Sequence, residues 1–378
     1  MRFEETLDRH ERGSLTQAEA GEMLGISERT FRRWRERYRE DGAAGLVDGR
    51  VGKPSPRRAD EGELARARAL YAEMYAGFTA KHFHEKLVER HGYRLGYTVT
   101  RLALQASGQL KRAPRRGAHR RRRPRRPLPG MLLHQDAARH AWLAGRPALD
   151  LVVTLDDATS AIYSAILVAE EGTASSFRAL AEVVADKGLF CALYTDRGGH
   201  YFHTPSAGGR VDREHPTQVG RALAQLGVEH VAAYSPQARG RSERAFRTLE
   251  DRLPKELALA GIADVEAANA WLRDVYLPAH NARFAVAAEA EGSAFVPATP
   301  GQWREVLCRQ ETRQVGNDNC VHWNGRVLQI PKSPLRPHFA RTTVRLHEYP
   351  DGAVALFWGP HRIADFPARA AGPHDLAA

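Results

Sequence analysis

Three acidic residues, Asp136, Asp196 and Glu243, sit where apolar segments could deliver them to one place. Asp136 follows Met131-Leu132-Leu133-His134-Gln135, and Asp196 follows the run from Leu189 to Thr195. Glu243 lies in Ser235-Pro236-Gln237-Ala238-Arg239-Gly240-Arg241-Ser242-Glu243-Arg244, which reads as a loop opening into a helix. Like charges repel, so a fold gathers carboxylates mainly to hold divalent cations. Hard oxygen ligands suit Mg2+ or Mn2+ rather than zinc. Two such ions about 3.5–4 Å apart can drive phosphoryl transfer. On this reading all three acids are catalytic and metal-binding, and two ions are expected. Asp136, at the end of a central strand, would bridge both; Asp196 would hold one and Glu243 the other.

Other groups compete for these roles. Asp156 and Asp157 also end a strand, but Asp is favoured at hairpin turns for turn chemistry alone. Glu250 lies two helical turns beyond Glu243, about 10 Å away, too far to replace it. Arg247, one turn beyond Glu243, could grip DNA or form only an exposed i,i+4 pair. His200, His203 and His215 suggest zinc only weakly, since no cysteine lies near enough in sequence to complete an HHCC pattern. Cys191, Cys308 and Cys320 are too few and scattered for a disulfide scaffold or a CxxC site. They read as reduced thiols, with Cys191 buried in a strand.

The elements that must position the three acids lie in 131–262. Strands are expected over 131–136, 149–156, 161–168, 189–195 and 228–232. Helices are expected over 173–187, 217–226 and 241–260, the last broken near Pro254. The order βββαβαβα is that of the ribonuclease H fold, an α/β core on a mixed sheet.

The flanking regions point to a polyanionic partner. The 378 residues carry a net charge of +11, which favours nucleic acid. Residues 1–50 read as a helix-turn-helix DNA-binding domain. Ser27 is an N-cap, and Phe31, Trp34 and Tyr38 form an apolar stripe that leaves Arg29, Arg32, Arg33 and Arg35 outward for a major groove. A linker over 51–60 leads to a second helical, helix-turn-helix-like unit over 61–110 that carries Arg101. Residues 111–130 form a basic, proline-interrupted linker in which Arg120, Arg121, Arg122 and Arg123 are expected to neutralise phosphates. A helical connector over 263–311, a small all-β, barrel-like domain over 312–368 and a flexible tail over 369–378 complete a multidomain chain. No apolar stretch is long enough to span a bilayer, and the N-terminus lacks the pattern of a signal peptide. A cytoplasmic, nucleoid-associated protein without membrane contact is expected.

Four segments carry a resemblance. They are Gln135-Asp136, the Leu155-Asp156-Asp157-Ala158-Thr159-Ser160 hairpin, Thr195-Asp196-Arg197-Gly198-Gly199-His200-Tyr201, and the Ser235–Arg244 segment. In this order, after helix-turn-helix units, the chain resembles bacterial insertion-sequence transposases with an integrase-type DDE core, most of all the ISNCY family. The resemblance covers nearly the whole chain and implies the triad Asp136, Asp196, Glu243. It also implies binding of double-stranded transposon ends and target DNA, strand cleavage and strand transfer, and a homo-oligomer assembled on DNA. The second separation in the triad is longer than in many relatives, and an apparent loop insertion over 204–213 accounts for the excess. The alternatives are a metal-dependent nuclease on the same fold and a catalytically inactive, transposase-derived DNA-binding regulator.

Overall fold

The computed structural model describes residues 2–49, 51–52, 58–112, 124–206, 209–234, 240–299 and 301–368. The chain divides into two compact units, 1–76 with 83–111 and 77–82 with 112–378.

The first unit is helical. α1 (Arg2–Glu11), α2 (Gln17–Leu24) and α3 (Glu28–Asp41) close around Phe3, Leu7, Ala20 and Phe31, with Trp34, Tyr38 and Leu46 packed against them. Thr16 and Glu19 cap α2 reciprocally, and Ser27 caps α3 by accepting from the Thr30 amide. Between them Gly25 ends α2 at φ 68°, a left-handed conformation that glycine adopts without steric cost. The sequence expectation omitted α1, which supplies two of the four buried apolar side chains of this cluster. Arg35 differs from the outward expectation in degree: it is half-buried, and its Nη1 lies 2.9 Å from His10 Nε2 of α1. Arg29, Arg32 and Arg33 are exposed. α4 (Glu61–Met74), most of α5 (Ala80–His91) and α6 (Tyr97–Ala106) follow. Tyr71 meets Phe83 edge-on at 5.1 Å, and Leu87 and Leu104 are buried beside them.

The second unit is built on a five-stranded sheet. Its strands are β1 (Leu133–His140), β2 (Leu149–Asp156), β3 (Ile162–Val168), β4 (Ala192–Thr195) and β5 (Glu229–Ala232). Their spatial order is β3-β2-β1-β4-β5. The first three are antiparallel neighbours, while β1–β4 and β4–β5 are parallel. This is the mixed sheet of the ribonuclease H fold. β1 runs four residues beyond Asp136 because its ladder with β2 continues to His140↔Leu149. Asp136 is therefore within the strand rather than at its end. β4 starts later than the apolar run suggests, and Cys191 lies exposed before it instead of buried in a strand.

Helices cover both faces. α7 (Thr173–Lys187) and α8 (Gln218–Gln225) pack on Leu133 and Leu193 through Phe177, Leu180, Val219 and Leu223. On the other face, α9 (Ser242–Leu259), α10 (Val265–Trp271) and α11 (Leu277–Phe284) pack on Leu151, Val153 and Leu167. α9 continues unbroken through Pro254. A proline removes one helical hydrogen bond, but Leu249, Leu253 and Leu257 hold α9 to the sheet on either side of it. A π-helical turn over Leu272–Tyr276 links α10 to α11.

On α11, His280 is buried between Tyr276 and Phe284. Burial, aided by Arg252, pushes its imidazole down to about 4. The unfolded chain protonates near 6.5, so this histidine favours the fold above that pH and loses its contribution as pH falls from about 6.5 to 4. The loss is up to about 3 kcal/mol, reduced by residual screening. Urea unfolding of the His280→Gln variant is expected to show a shallower stability loss over that window than the unaltered chain. Identical slopes would remove His280 from the acid sensitivity.

α12 (Gln302–Val306) leads into the C-terminal strands, β6 (Arg309–Gln314), β7 (Cys320–Trp323), β8 (Arg326–Gln329), β9 (Thr343–Glu348), β10 (Val354–Trp358) and β11 (His361–Phe366). They form an antiparallel sheet of order β11-β10-β9-β6 and a β7–β8 hairpin around Val321, Leu328, Leu346 and Leu356. The hairpin turns at Asn324 (φ 45°) and Gly325 (φ 73°), the pair of positive angles that a tight Asn-Gly turn requires.

Candidate active site

Asp136 and Asp196 share a level and a face. In the parallel pairing of β1 with β4, Leu133 is opposite Leu193 and His134 opposite Tyr194. Extending that register by two residues sets Asp136 level with Asp196. Side chains alternate across a strand. Leu133 and Leu193 point into the α7–α8 cluster, whereas Leu132, Ala192 and Tyr194 line the opposite face. Asp136 and Asp196 fall on that second face, and α9 packs on it through Phe246 and Leu249. Glu243 is in the first turn of α9 and is exposed. The positive end of a helix favours a carboxylate there.

Local bonds shape each acid. Asp136 is buried and its Oδ1 accepts from the Ala137 amide at 3.0 Å. Asp196 is half-buried and its Oδ1 accepts from the Gly198 amide at 2.8 Å. A Cβ at position 198 would stand 3.0 Å from that same oxygen, so a larger residue there would push the Asp196 carboxylate aside. The excursion after this turn returns to its start: His203 bridges Asp212, and Arg197 Nη1 donates to Gly209 O at 2.7 Å. β5 follows β4 in parallel.

Among the described residues, no three His, Cys, Asp or Glu side chains stand together as a ready-made metal site. What the two aspartates share is a sheet face and, by the extended register, a strand level; Glu243 lies at the start of the helix that packs on that face. The donors so placed are all hard carboxylate oxygens, which fit Mg2+ or Mn2+. The histidines are dispersed to other partners. His200 Nε2 is 3.5 Å from Glu171, and His215 pairs with Asp212 at 2.9 Å.

Two neighbouring networks are not evident from the sequence pattern. On the α7 side, the Tyr201 hydroxyl lies 3.1 Å from Gln135 Oε1 and 3.2 Å from Glu171 Oε1. Burial, reinforced by the Glu171 charge, holds this phenol well above its usual range, so it stays protonated and can donate. On the α9 side, Asp156 and Asp157 diverge. Asp156 makes the turn, accepting from the Thr159 amide and hydroxyl at 2.8 Å each and from the Gly130 amide at 2.9 Å. Asp157 instead pairs with Arg241 and, at 2.8 Å, with His134 Nε2. The only sequence signal for that pairing is an arginine at the wrong end of a helix for the macrodipole.

The basic residues divide similarly. Arg247 is exposed on α9, and no ion pair joins it to Glu243 among the described residues. Arg101 is half-buried on α6. Arg120, Arg121, Arg122 and Arg123 lie outside the described residues. No helix among the described residues is long and apolar enough to cross a membrane.

Residues 5–65 match the winged helix-turn helix family. Over 355 residues the chain is 31% identical to y4bF of Sinorhizobium fredii (strain NBRC 101917 / NGR234), a protein named as a transposase; the match covers 93% of this chain and 77% of that one. It is 27% identical over 370 residues to the transposase for insertion sequence IS1202 of Streptococcus pneumoniae, covering 88% and 78%. Neither is named for the ISNCY group. Among solved structures, the intasome of simian T-cell lymphotropic virus in complex with PP2A regulatory subunit B56 gamma matches 81% of this chain and 99% of its own, with 16% identity and TM-score 0.33. The magnesium-bound, dimeric HTLV-2 integrase catalytic core domain matches 38% and 86%, with 16% identity and TM-score 0.29. With its helix-turn-helix unit and a ribonuclease H-like core, the chain belongs to the insertion-sequence transposases.

Proposed function

We propose that this transposase binds the terminal inverted repeats of its element, cuts a strand at each end and joins the freed 3′-hydroxyls to target DNA. Asp136, Asp196 and Glu243 are the catalytic, metal-holding residues in this reading. What supports it most is the parallel register of β1 with β4, which extended by two residues puts Asp136 level with Asp196 on the sheet face that α9, the helix carrying Glu243, packs on. Divalent ions held there would supply an activated water or hydroxyl and stabilise the departing 3′-oxygen. The protein's own side chains supply the position. In this reading β1 and the turn after β4 hold the two aspartates on one face, the start of α9 supplies Glu243 from the helix packed on that face, and Arg247 on the next turn is open to a phosphate.

Recognition belongs to the N-terminal helices. Arg29, Arg32 and Arg33 on the outer side of α3 can donate to phosphates and guanine edges in a major groove. Arg120 to Arg123 add non-specific phosphate contacts. Two ends must be held together for joining, so a homo-oligomer on DNA is part of the proposal. The test is incubation of the purified chain with its element's terminal repeats, a target plasmid and Mg2+, followed by end mapping. Nicks at the repeat ends and joined products are expected. Cutting without joining would favour a nuclease, and specific binding without cutting a regulator.

A further inference from the structure

The start of α9 is held by a tertiary ion pair. Its N-cap residue is Arg241, which has helical backbone angles and, among the described residues, makes no side-chain capping hydrogen bond. A cation at that end opposes the helix dipole, and taking an arginine out of water costs more still. Yet Arg241 is 9% exposed and Asp157 only 1%. Asp157 Oδ1 takes both Arg241 Nη1 and His134 Nε2, the latter at 2.8 Å. Asp157 Oδ2 accepts from the Arg126 amide at 2.8 Å, and Arg241 Nη2 donates to Pro124 O at 2.9 Å.

The positions of these partners matter. His134 is two residues before Asp136 on β1 and on the same face. Arg241 is two residues before Glu243. One carboxylate therefore ties together the strand that carries the first acid and the helix that carries the third, one step back from each. The geometry points to Asp157 as a positioning residue that sets Glu243 against Asp136 for metal binding, through Arg241 and His134. The inference rests on the triad proposed above. It also separates Asp157 from its neighbour Asp156, whose carboxylate is taken up by the Thr159 turn and the Gly130 amide.

Full-length protein is compared with Asp157→Asn and with the paired Asp157→Asn/Arg241→Gln variant. The pair removes both buried charges together, so neither is left uncompensated. Three quantities are read: affinity for end DNA, Mn2+ affinity of the DNA-free protein by electron paramagnetic resonance, and the Mg2+ dependence of end cleavage. End affinity is expected to stay within about 2-fold. Mn2+ affinity is expected to fall roughly 10–100-fold, with half-saturating Mg2+ rising by a similar factor, as when a residue orienting a metal ligand is lost. Part of the cleavage rate should return at high Mg2+. A folded variant, single or paired, with unchanged Mn2+ affinity and Mg2+ dependence overturns the inference. Loss of helical circular dichroism in both variants also overturns it, because Asp157 would then serve folding alone. Asp136→Asn, measured alongside, separates this result from the underlying one. If Asp136→Asn also leaves metal affinity and cleavage intact, the triad itself is wrong; if it abolishes both while the Asp157 variants change neither, only the Asp157 role fails.

Discussion

Asp136→Asn, Asp196→Asn and Glu243→Gln are each expected to lower strand cleavage about 1,000-fold or more while end binding stays near that of the unaltered protein. Each change keeps the size of the side chain and removes one negative charge. Metal-assisted charge stabilisation is worth several kcal/mol, and each 1.36 kcal/mol is a factor of ten in rate, so about 4 kcal/mol gives this loss. Binding should survive because the helix-turn-helix cluster lies in the other compact unit. Cleavage of supercoiled donor DNA in Mg2+, with gel-shift affinity for the ends in parallel, checks both halves. Any of the three variants that cuts at the normal rate loses its assigned role. Asp136 is the most demanding case, since it is buried within β1 and its strand neighbours are fixed by pairing on both sides.

Phe31→Ala is expected to abolish specific end binding by unfolding the first three helices. Phe31 is fully buried, with Phe3 at 5.9 Å and His10 edge-on at 5.4 Å. Removing such a ring costs about 3–5 kcal/mol. That is comparable to the whole stability of a unit this small, at roughly 0.05–0.15 kcal/mol per residue. α3 carries Arg29, Arg32 and Arg33, so a melted α3 presents them without order. Thermal unfolding should lose its N-terminal transition, and affinity for the ends should fall to the level of unrelated DNA. Retention of both the transition and the sequence preference would refute this account. Arg33→Ala, exposed on the same helix, should weaken binding without touching the transition.

Local signals were legible and non-local ones were not. The helix over Thr173–Lys187 follows from its apolar periodicity and the glycine that ends it, and its bounds agree with the expectation residue for residue. Ser27 and the aromatic stripe likewise define α3 from within one stretch of chain. Caps and periodicity act within a turn or two, so a single segment carries them. The apolar run before Asp136 misplaced the end of β1, because strand length depends on the ladder a distant partner offers. The contact of Arg35 with His10 of α1 was invisible for the same reason, since the two lie 25 positions apart. Asp157 read as a turn residue because its partner lies 84 positions away.

The candidate triad shows the same division. Residue type and motif order are properties of the chain, and they single out Asp136, Asp196 and Glu243 with no structure in hand. Whether three acids so far apart can act together depends on register, sheet face and helix entry, which arise only when strands pair and α9 docks. The parallel register of β1 with β4 brings the two aspartates level. An ion pair between residues of different elements holds the start of the helix that carries Glu243. Neither is encoded within a single segment, because hydrogen-bond ladders and buried charges form only between segments.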